Sequence, residues 1–375
     1  MRSVVVTGIG MVTPLGQGSG EVLDRILAGD KAATEPVFDT TNFDCHLCTP
    51  VIDFDAESHF PDNKTLRLMN RDAQMAVVAA KLAIEDAGVL VNETYRSQDI
   101  CLYGSTGVAG MSMEEITQIV KYAANEDGTL SLDRFGSTAL KRVRPVLSFR
   151  ILANMPLCFV SIFLNIKGPN AVYTPWEGNG AQAIAAGIRA IKRGEVTCAL
   201  VGGCDVKTRE LSFINLQQLG IFDSWSRYGT GCIPGEGAAF LVLEDEETAS
   251  KRGKKAHARI SDYRFGSIGG KVQLLDTLYS IVSGFGINNS LKIIAAGDGD
   301  VNILENEKQA LERSGHGSEQ FIKPKSHIGN LFAAAAAVQV GLGAELASRK
   351  NESQKIMANC FGHGSEHGSF ILETI

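Results

Sequence analysis

Glu177 is the residue of this chain whose surroundings point most directly to chemistry. It stands immediately before Gly178-Asn179-Gly180 and a run of small apolar residues, a pattern that predicts the start of a helix. An acidic residue there interacts favourably with the helix dipole, a contribution of about 0.3–1 kcal/mol. The same carboxylate could instead act on a substrate.

Cysteine and histidine pairs elsewhere have spacings that suit metal or redox sites. Cys45-His46-Leu47-Cys48 is a CxxC motif, but the sequence has no second pair to complete a zinc site. His363 and His367 are four residues apart, but they lie in a glycine-rich loop, where that spacing does not place them on one helix face. The sequence therefore predicts neither a metal nor another cofactor.

The elements that must position these residues alternate between strands and helices. Val4-Val5-Val6 predicts a buried strand that ends in a tight turn at Gly8-Ile9-Gly10. Residues 69–87 predict a long amphipathic helix closed by Gly88. Three further apolar runs predict buried strands, at residues 198–203, 240–244 and 292–296. The chain is therefore expected to have an α/β fold.

Two stretches echo each other, residues 178–186 and 329–338, and each predicts a helix built almost wholly from small apolar residues. A helix without a polar face must be buried on all sides, and small side chains let neighbouring layers approach closely. The pair therefore predicts two equivalent halves, each of which contributes one helix to a central buried layer.

Composition and charge narrow the class of protein. The chain is 44% hydrophobic and 21% charged, as expected of a soluble globular protein, and its net charge of −6 argues against nucleic-acid binding. No run of about 18 apolar residues predicts a membrane span. The start of the chain lacks a signal-peptide pattern and the eight cysteines are scattered, so a cytoplasmic location with reduced thiols is expected.

Motifs along nearly the whole chain resemble those of the β-ketoacyl synthase family. They are Thr7-Gly8-Ile9-Gly10-Met11-Val12-Thr13-Pro14-Leu15-Gly16, Asn154-Met155, Gly168-Pro169-Asn170, Phe222-Asp223, Gly235-Glu236-Gly237-Ala238-Ala239 and Asn359-Cys360-Phe361-Gly362. The resemblance implies an α/β thiolase fold, with five layers in α-β-α-β-α order built from two similar halves. We place the halves at residues 1–242, which carry the nucleophile loop, and 243–375.

The resemblance also assigns a position to Glu177. In the family, the nucleophile loop reads Gly-Pro-Asn/Ser, six variable residues and then a cysteine. Counting nine residues from Gly168 leads to Glu177 without a gap, and Gly180 and Ile184 keep the family register. Glu177 therefore replaces the cysteine whose thiolate would hold the acyl chain as a thioester.

The other catalytic positions of the family are altered too. Its two histidines correspond to Ala296, in Ala296-Gly297-Asp298-Gly299-Asp300, and to Asn330, while Lys325 is retained. His327 lies three residues before the second position and is not expected to replace that histidine. The resemblance thus predicts that no residue of this chain is catalytic.

The gate and the pocket depart from the family as well. The gating Gly-Phe-Gly-Gly motif becomes Gly362-His363-Gly364-Ser365, which places His363 at the gate position. The backbone N–H groups of Glu177 and His363 correspond to the family's oxyanion-hole donors. The chain is also shorter than active members between His257 and Lys292, where they have a substrate-lining loop.

A ketosynthase-like chain without its nucleophile resembles the chain length factors of type II polyketide systems. The resemblance implies a heterodimer with an active ketosynthase subunit, formed through the ketosynthase dimer interface, that helps to set polyketide or polyene chain length. Glutamate at this position favours an aryl polyene system. An acyl carrier protein would be the second partner, and the candidate basic patches for this acidic protein are residues 141–144 and 251–255.

Two alternatives remain open at this point. The chain could be a malonyl-carrier decarboxylase that primes synthesis and uses Glu177, although the histidines missing at positions 296 and 330 leave little to stabilise an enolate. It could also be a homodimeric scaffold that binds an acyl chain or an acyl carrier protein.

Overall fold

The computed structural model describes residues 2–60, 63–108, 112–143, 147–269, 272–286, 291–297, 300–316, 320–349 and 354–375. Within these residues, eleven strands form one mixed sheet. They are β1 (Val4–Thr13), β2 (Gly16–Gln17), β3 (Ile100–Thr106), β4 (Asn170–Tyr173), β5 (Cys198–Val206), β6 (Glu236–Asp245), β7 (Ala258–Ser267), β8 (Lys292–Ile294), β9 (Gln320–Ile322), β10 (Lys355–Cys360) and β11 (Glu366–Glu373).

The α-helices lie on both faces of this sheet and between its halves. Those of the first half are α1 (Ser19–Ala28), α2 (Asn63–Leu66), α3 (Arg71–Ala87), α4 (Met113–Ala123), α5 (Leu132–Arg134), α6 (Leu140–Arg142), α7 (Leu147–Ile151), α8 (Met155–Leu164), α9 (Glu177–Arg193), α10 (Glu210–Gln218), α11 (Asp223–Tyr228) and α12 (Glu246–Lys251). Those of the second half are α13 (Leu274–Ser283), α14 (Val301–Arg313), α15 (Lys325–Ile328) and α16 (Ala335–Ser348).

The strand order repeats itself about the centre of the sheet. It runs β4-β3-β5-β6-β1-β7-β11-β10-β8-β9, with β1 and β7 paired antiparallel in the middle. Without the short β2, each half has five strands, which can be numbered in chain order within that half. Read outward from the centre of the sheet, both halves have the order first, fifth, fourth, second and third. The two similar halves are thus visible in the topology. Because the boundary predicted at residues 242 and 243 falls inside β6, we propose that the halves meet between residues 246 and 257.

Five layers are stacked in the α-β-α-β-α order predicted, which confirms that expectation. Helices α9 and α16 form the middle layer, since each packs against strands of both halves. Helices α3 and α8 cover the outer face of the first half, and α13 and α14 cover the outer face of the second. The middle layer shares one buried apolar core with the strands on both sides of it.

The N-terminal strand is longer than predicted, and the tight turn expected at residues 8–10 is wrong. Strand β1 continues through both glycines to Thr13, with an irregularity in its pairing to β6 between Val6 and Gly8. The glycines are there because helix α3 lies directly on the strand. A Cβ added at Gly8 would lie 2.1 Å from the carbonyl oxygen of Ala83. Close packing, and not a turn, requires these small residues.

The predicted helices are confirmed with small shifts of their ends. Helix α3 begins at Arg71 and ends at Ala87, with Gly88 in the left-handed conformation that closes a helix (φ 63°). The second small-residue helix begins later than predicted, because a 3₁₀ turn at residues 332–334 precedes α16. Asn330 therefore lies before the helix, in the segment that enters the site.

Candidate functional site

Glu177 is fully buried at the first position of helix α9, although it is an acidic residue. The turn before it is fixed by Asn179, whose side-chain oxygen accepts the Trp176 N–H at 3.1 Å. This bond holds the start of the helix so that the Glu177 carboxylate lies inside the protein. A buried carboxylate is costly unless it is paired and hydrogen-bonded.

Donors from three other segments satisfy this carboxylate. Its Oε1 accepts a hydrogen bond from Asn330 Nδ2 at 2.8 Å and lies 3.5 Å from Lys325 Nζ. The same oxygen is 3.3 Å from His363 Nδ1, and Oε2 accepts the His363 backbone N–H at 3.2 Å. The Asn330 amide is oriented by Phe332, whose N–H donates to Asn330 Oδ1 at 3.0 Å.

A second carboxylate completes the arrangement. His363 Nε2 lies 3.0 Å from Asp300 Oδ2, so the imidazole bridges Asp300 and Glu177. The other oxygen of Asp300 accepts the Ile303 N–H at 2.9 Å and caps helix α14. Glu177, Asp300, Lys325 and His363 together are called the buried ion cluster below. The side chain of each of the four is at most 16% exposed.

The charges within the buried ion cluster are mutually stabilised. Burial would raise the pKa of Glu177, but the charge of Lys325 and the hydrogen bonds from His363 and Asn330 outweigh it, and its pKa lies well below the ordinary value. Burial would lower the pKa of His363, but its hydrogen bonds to Asp300 and Glu177 raise it to about 9. At neutral pH the cluster therefore contains two anions and two cations.

This protonation pattern has a defined pH dependence. Because the pKa of His363 rises from 6.5 to about 9 on folding, its contribution to stability is fully present below pH 6.5. That contribution is lost as the pH rises through about 9. The charged His363 therefore stabilises the fold at neutral pH, and this stabilisation disappears in alkaline solution.

The Glu177 carboxylate also fills the space in front of the loop that follows β10. A Cβ added at Gly362 would lie 2.1 Å from Glu177 Cδ, so the carboxylate is packed against the backbone of that loop. Its Oε2 accepts the His363 N–H, the group predicted from the resemblance to correspond to an oxyanion-hole donor. The arrangement offers no thiol or hydroxyl nucleophile at position 177, and the donor is already used by the protein itself.

The family assignment follows from comparison with known proteins. The family model for the N-terminal domain of β-ketoacyl synthases matches residues 1–249, about two thirds of the chain. The chain belongs to the β-ketoacyl synthase family.

Individual β-ketoacyl synthases are similar over different lengths. The 3-oxoacyl-[acyl-carrier-protein] synthase 2 of Synechocystis sp. is 30% identical over 275 residues, which cover 70% of this chain and 62% of that protein. The match therefore spans less than two thirds of that relative. The protein of the same name from Vibrio cholerae is 27% identical over 99% of both chains.

Solved structures show the same fold over the whole chain. A β-ketoacyl synthase from Burkholderia phymatum has a TM-score of 0.81 at 23% identity, covering 100% of both chains. The ishigamide ketosynthase/chain length factor has a TM-score of 0.75 at 22% identity, covering 100% of this chain and 99% of that one.

Of the five positions predicted from the β-ketoacyl synthase resemblance, the structure brings four together: Glu177, Lys325, Asn330 and His363. The N–H of Ala296, the fifth position, donates to the buried Glu307 at 3.1 Å. Asp298, which was predicted beside it, lies outside the described residues. His327 is turned elsewhere, with Nδ1 2.6 Å from the Asp30 carbonyl oxygen, as expected of a residue that does not replace the family histidine.

Several residues of the site were not predicted from the sequence to belong to it. Asp300 is one of them. The only hint in the sequence is that Asp300 is an acidic residue in the loop predicted to replace a histidine motif of the family. Trp176 and Phe332 are others, and their rings flank His363 at 6.1 and 5.8 Å. His367 is buried beneath the loop, and burial lowers its pKa to about 4, so it is neutral. Nothing in the spacing of these residues indicates that they meet.

The structure also shows the surroundings of the CxxC pair and of the second basic segment, the other candidate sites that the sequence offers. Cys45 and Cys48 are buried free thiols, and no group of ligands suited to a metal occurs in the described ranges. In the basic segment 251–255, Arg252 pairs with buried Glu244 and Lys251 with Glu247, so much of its charge is neutralised. No described helix has the length and apolarity needed to cross a membrane.

Proposed function

We propose that this chain is the non-catalytic chain length factor of a ketosynthase pair that makes a polyketide or polyene. The observation that carries the proposal is the fully buried Glu177 carboxylate, held by Lys325, Asn330 and His363 at the position that the sequence predicts to be the family's nucleophile position. A carboxylate with these partners cannot carry an acyl chain as a stable thioester. Because the chain keeps the five-layer fold but lacks the nucleophile, we infer that its role is to associate with an active subunit.

The edge of the sheet at β4 supports the pairing of this chain with an active ketosynthase subunit. Within the part of the chain that the structure describes, β4 is the terminal strand and pairs only with β3. It carries no charge, and Asn170 and Val172 are exposed. An exposed, uncharged edge strand is a template for pairing with another chain, and proteins usually protect such an edge when it is not an interface. We infer that β4 of this chain pairs with the equivalent edge of the active subunit.

A basic groove supports a second partner, the acyl carrier protein. The groove has a volume of about 850 Å³ and contains Arg67, Arg142 and Arg150, with Arg142 lying 4.3 Å from the centre of the Tyr122 ring. Of the basic segment predicted at residues 141–144, it contains Arg142 and Val143, while Arg144 lies outside the described residues. Glu114 and Glu115 also line it, and Arg150 pairs with Glu115 at 2.9 Å, so the excess of positive charge in the groove is small.

Charge reversal at Arg142 tests this carrier site. We expect R142E to weaken association of the ketosynthase pair with its acyl carrier protein by roughly tenfold, because a basic groove attracts an acidic partner over a distance. Surface plasmon resonance at two salt concentrations measures the effect. Lys251→Glu is the matched control, since Lys251 lies in the other basic segment and already pairs with Glu247. Equal effects of the two substitutions would rule out a specific groove.

The composition of the native complex tests the proposal itself. We expect native mass spectrometry of the protein, purified from its own host through a mild tag, to show a one-to-one complex with a second ketosynthase. The second subunit should carry a cysteine at the position of Glu177. A stable homodimer without that partner would overturn the proposal and favour the scaffold that binds acyl chains or carrier protein.

The geometry weighs against the malonyl decarboxylase alternative. An enolate intermediate needs donors, and the His363 N–H at the gate already donates to Glu177 Oε2 at 3.2 Å. Ala296 and Asn330 provide no imidazole. Release of carbon dioxide from malonyl carrier protein by the purified pair, abolished by Glu177→Ala, would instead support the decarboxylase.

A further inference from the structure

The loop of residues 362–365, here called the gate loop, joins β10 to β11 directly above Glu177. Two of its four residues are Gly362 and Gly364, which have no side chain to anchor it. Its one large side chain is His363, whose backbone and ring both contact Glu177 and whose ring also contacts Asp300. The polar contacts of His363 therefore help to hold the loop in place, together with the Trp176 and Phe332 rings that flank His363.

These contacts form one continuous chain across separate segments. It begins with Asp300 at the start of α14, passes through the His363 ring to Glu177 at the start of α9, and ends with Lys325 in α15. Lys325 Nζ also lies 3.5 Å from the carbonyl oxygen of Phe361, the residue before the gate loop. Anions and cations alternate along this chain, so removing one charge weakens the contacts of its neighbours.

We propose that the buried ion cluster is a lock that holds the gate loop closed over the start of helix α9, and that neutralising either carboxylate exposes the residues beneath the loop to solvent. This inference stands on the geometry of the loop and does not depend on pairing with a ketosynthase.

Native cysteines provide reporters of the state of the gate loop. Cys232 Sγ lies 3.7 Å from Asn330 Nδ2, next to Glu177, and Cys360 ends β10 just before the gate loop; both are buried. Cys101 and Cys198 are also buried, but they lie near the starts of strands β3 and β5 in the first half. Opening the gate loop should expose the first pair and leave the second protected.

The test is alkylation of the intact protein, with any partner it retains, by N-ethylmaleimide under native conditions. The extent of labelling at each cysteine is followed over time by peptide mass spectrometry. We expect Asp300→Asn to raise the labelling rate of Cys232 and Cys360 at least fivefold and Glu177→Ala at least tenfold. Labelling of Cys101 and Cys198 should not change. Asp300→Asn is informative because asparagine keeps the shape and the helix cap, so no cavity is created.

A core substitution separates local opening from general destabilisation. Val78→Ala shortens a buried side chain of helix α3, remote in the chain from the gate loop, and serves as the matched control. It should leave the ratio of labelling between the two cysteine pairs unchanged. Equal acceleration at all four cysteines in the cluster variants, or no acceleration at Cys232 and Cys360, would overturn the lock.

Discussion

Replacing Glu177 by alanine is expected to lower the free energy of unfolding by about 3–5 kcal/mol, the usual cost of removing one partner of a buried ion pair. Lys325 would lose the carboxylate that lies 3.5 Å from its Nζ, and His363 would lose one of its two carboxylates. Chemical denaturation of the purified protein at neutral pH measures the change. A loss below about 1 kcal/mol would show that the buried ion cluster contributes little net stability.

Added acetate should restore part of this loss. The group removed by Glu177→Ala has the atoms of acetate, and the side chains that donated to it, Lys325, Asn330 and His363, are still present in the variant. With a dissociation constant on the order of 10 mM, 100 mM acetate would return about 1.4 kcal/mol by mass action. Sodium chloride at equal ionic strength is the control for screening. Glu177→Gln is the matched variant, because its side chain fills the site without charge, and acetate should not stabilise it.

Substituting Val172 by lysine is expected to reduce the affinity of this chain for its ketosynthase partner on the order of 100-fold. Val172 lies on the terminal strand β4 with 36% of its surface exposed, and pairing along this edge would enclose it. A lysine enclosed there without an anion costs about 3 kcal/mol, which corresponds to that change in affinity. Affinity is measured by titrating the separated subunits in analytical ultracentrifugation.

A second exposed valine provides the control for this substitution. Val37 is fully exposed in the segment between α1 and α2, so Val37→Lys adds the same charge at the same residue type away from the edge. Its complex should be unchanged. If both variants bind equally well, β4 is not the interface. If Val172→Lys still forms the pair while a substitution on another face breaks it, the active subunit docks elsewhere.

The position of Glu177 could be predicted because it depends on counting along one continuous segment. The register from Gly168 through Gly180 to Ile184 has no gap, and the structure places Glu177 at the start of a buried helix as predicted. Long apolar runs and the closing glycine of α3 were equally local signals. Features of this kind are determined by residues that are neighbours in sequence.

The contacts of the site could not be predicted in the same way. His363 and Asp300 are separated by 63 residues, and they meet only because the sheet brings the end of β10 beside the start of α14. The extension of β1 through Gly8 and Gly10 was missed for a related reason. Glycine usually indicates a turn, but here it is required because a helix that follows about 60 residues later lies too close for a side chain.

The repeated strand order has a consequence for how the molecule holds together. Glu177 belongs to the first repeat, whereas Asp300, Lys325 and His363 all belong to the second. Within the buried ion cluster, the cations that face Glu177 come from the second repeat, and Glu177 of the first repeat in turn supplies a carboxylate to Lys325 and His363. A polypeptide whose topology resembles two copies of one unit is thereby made into a single cooperative one, because each copy supplies the counter-charges of the other.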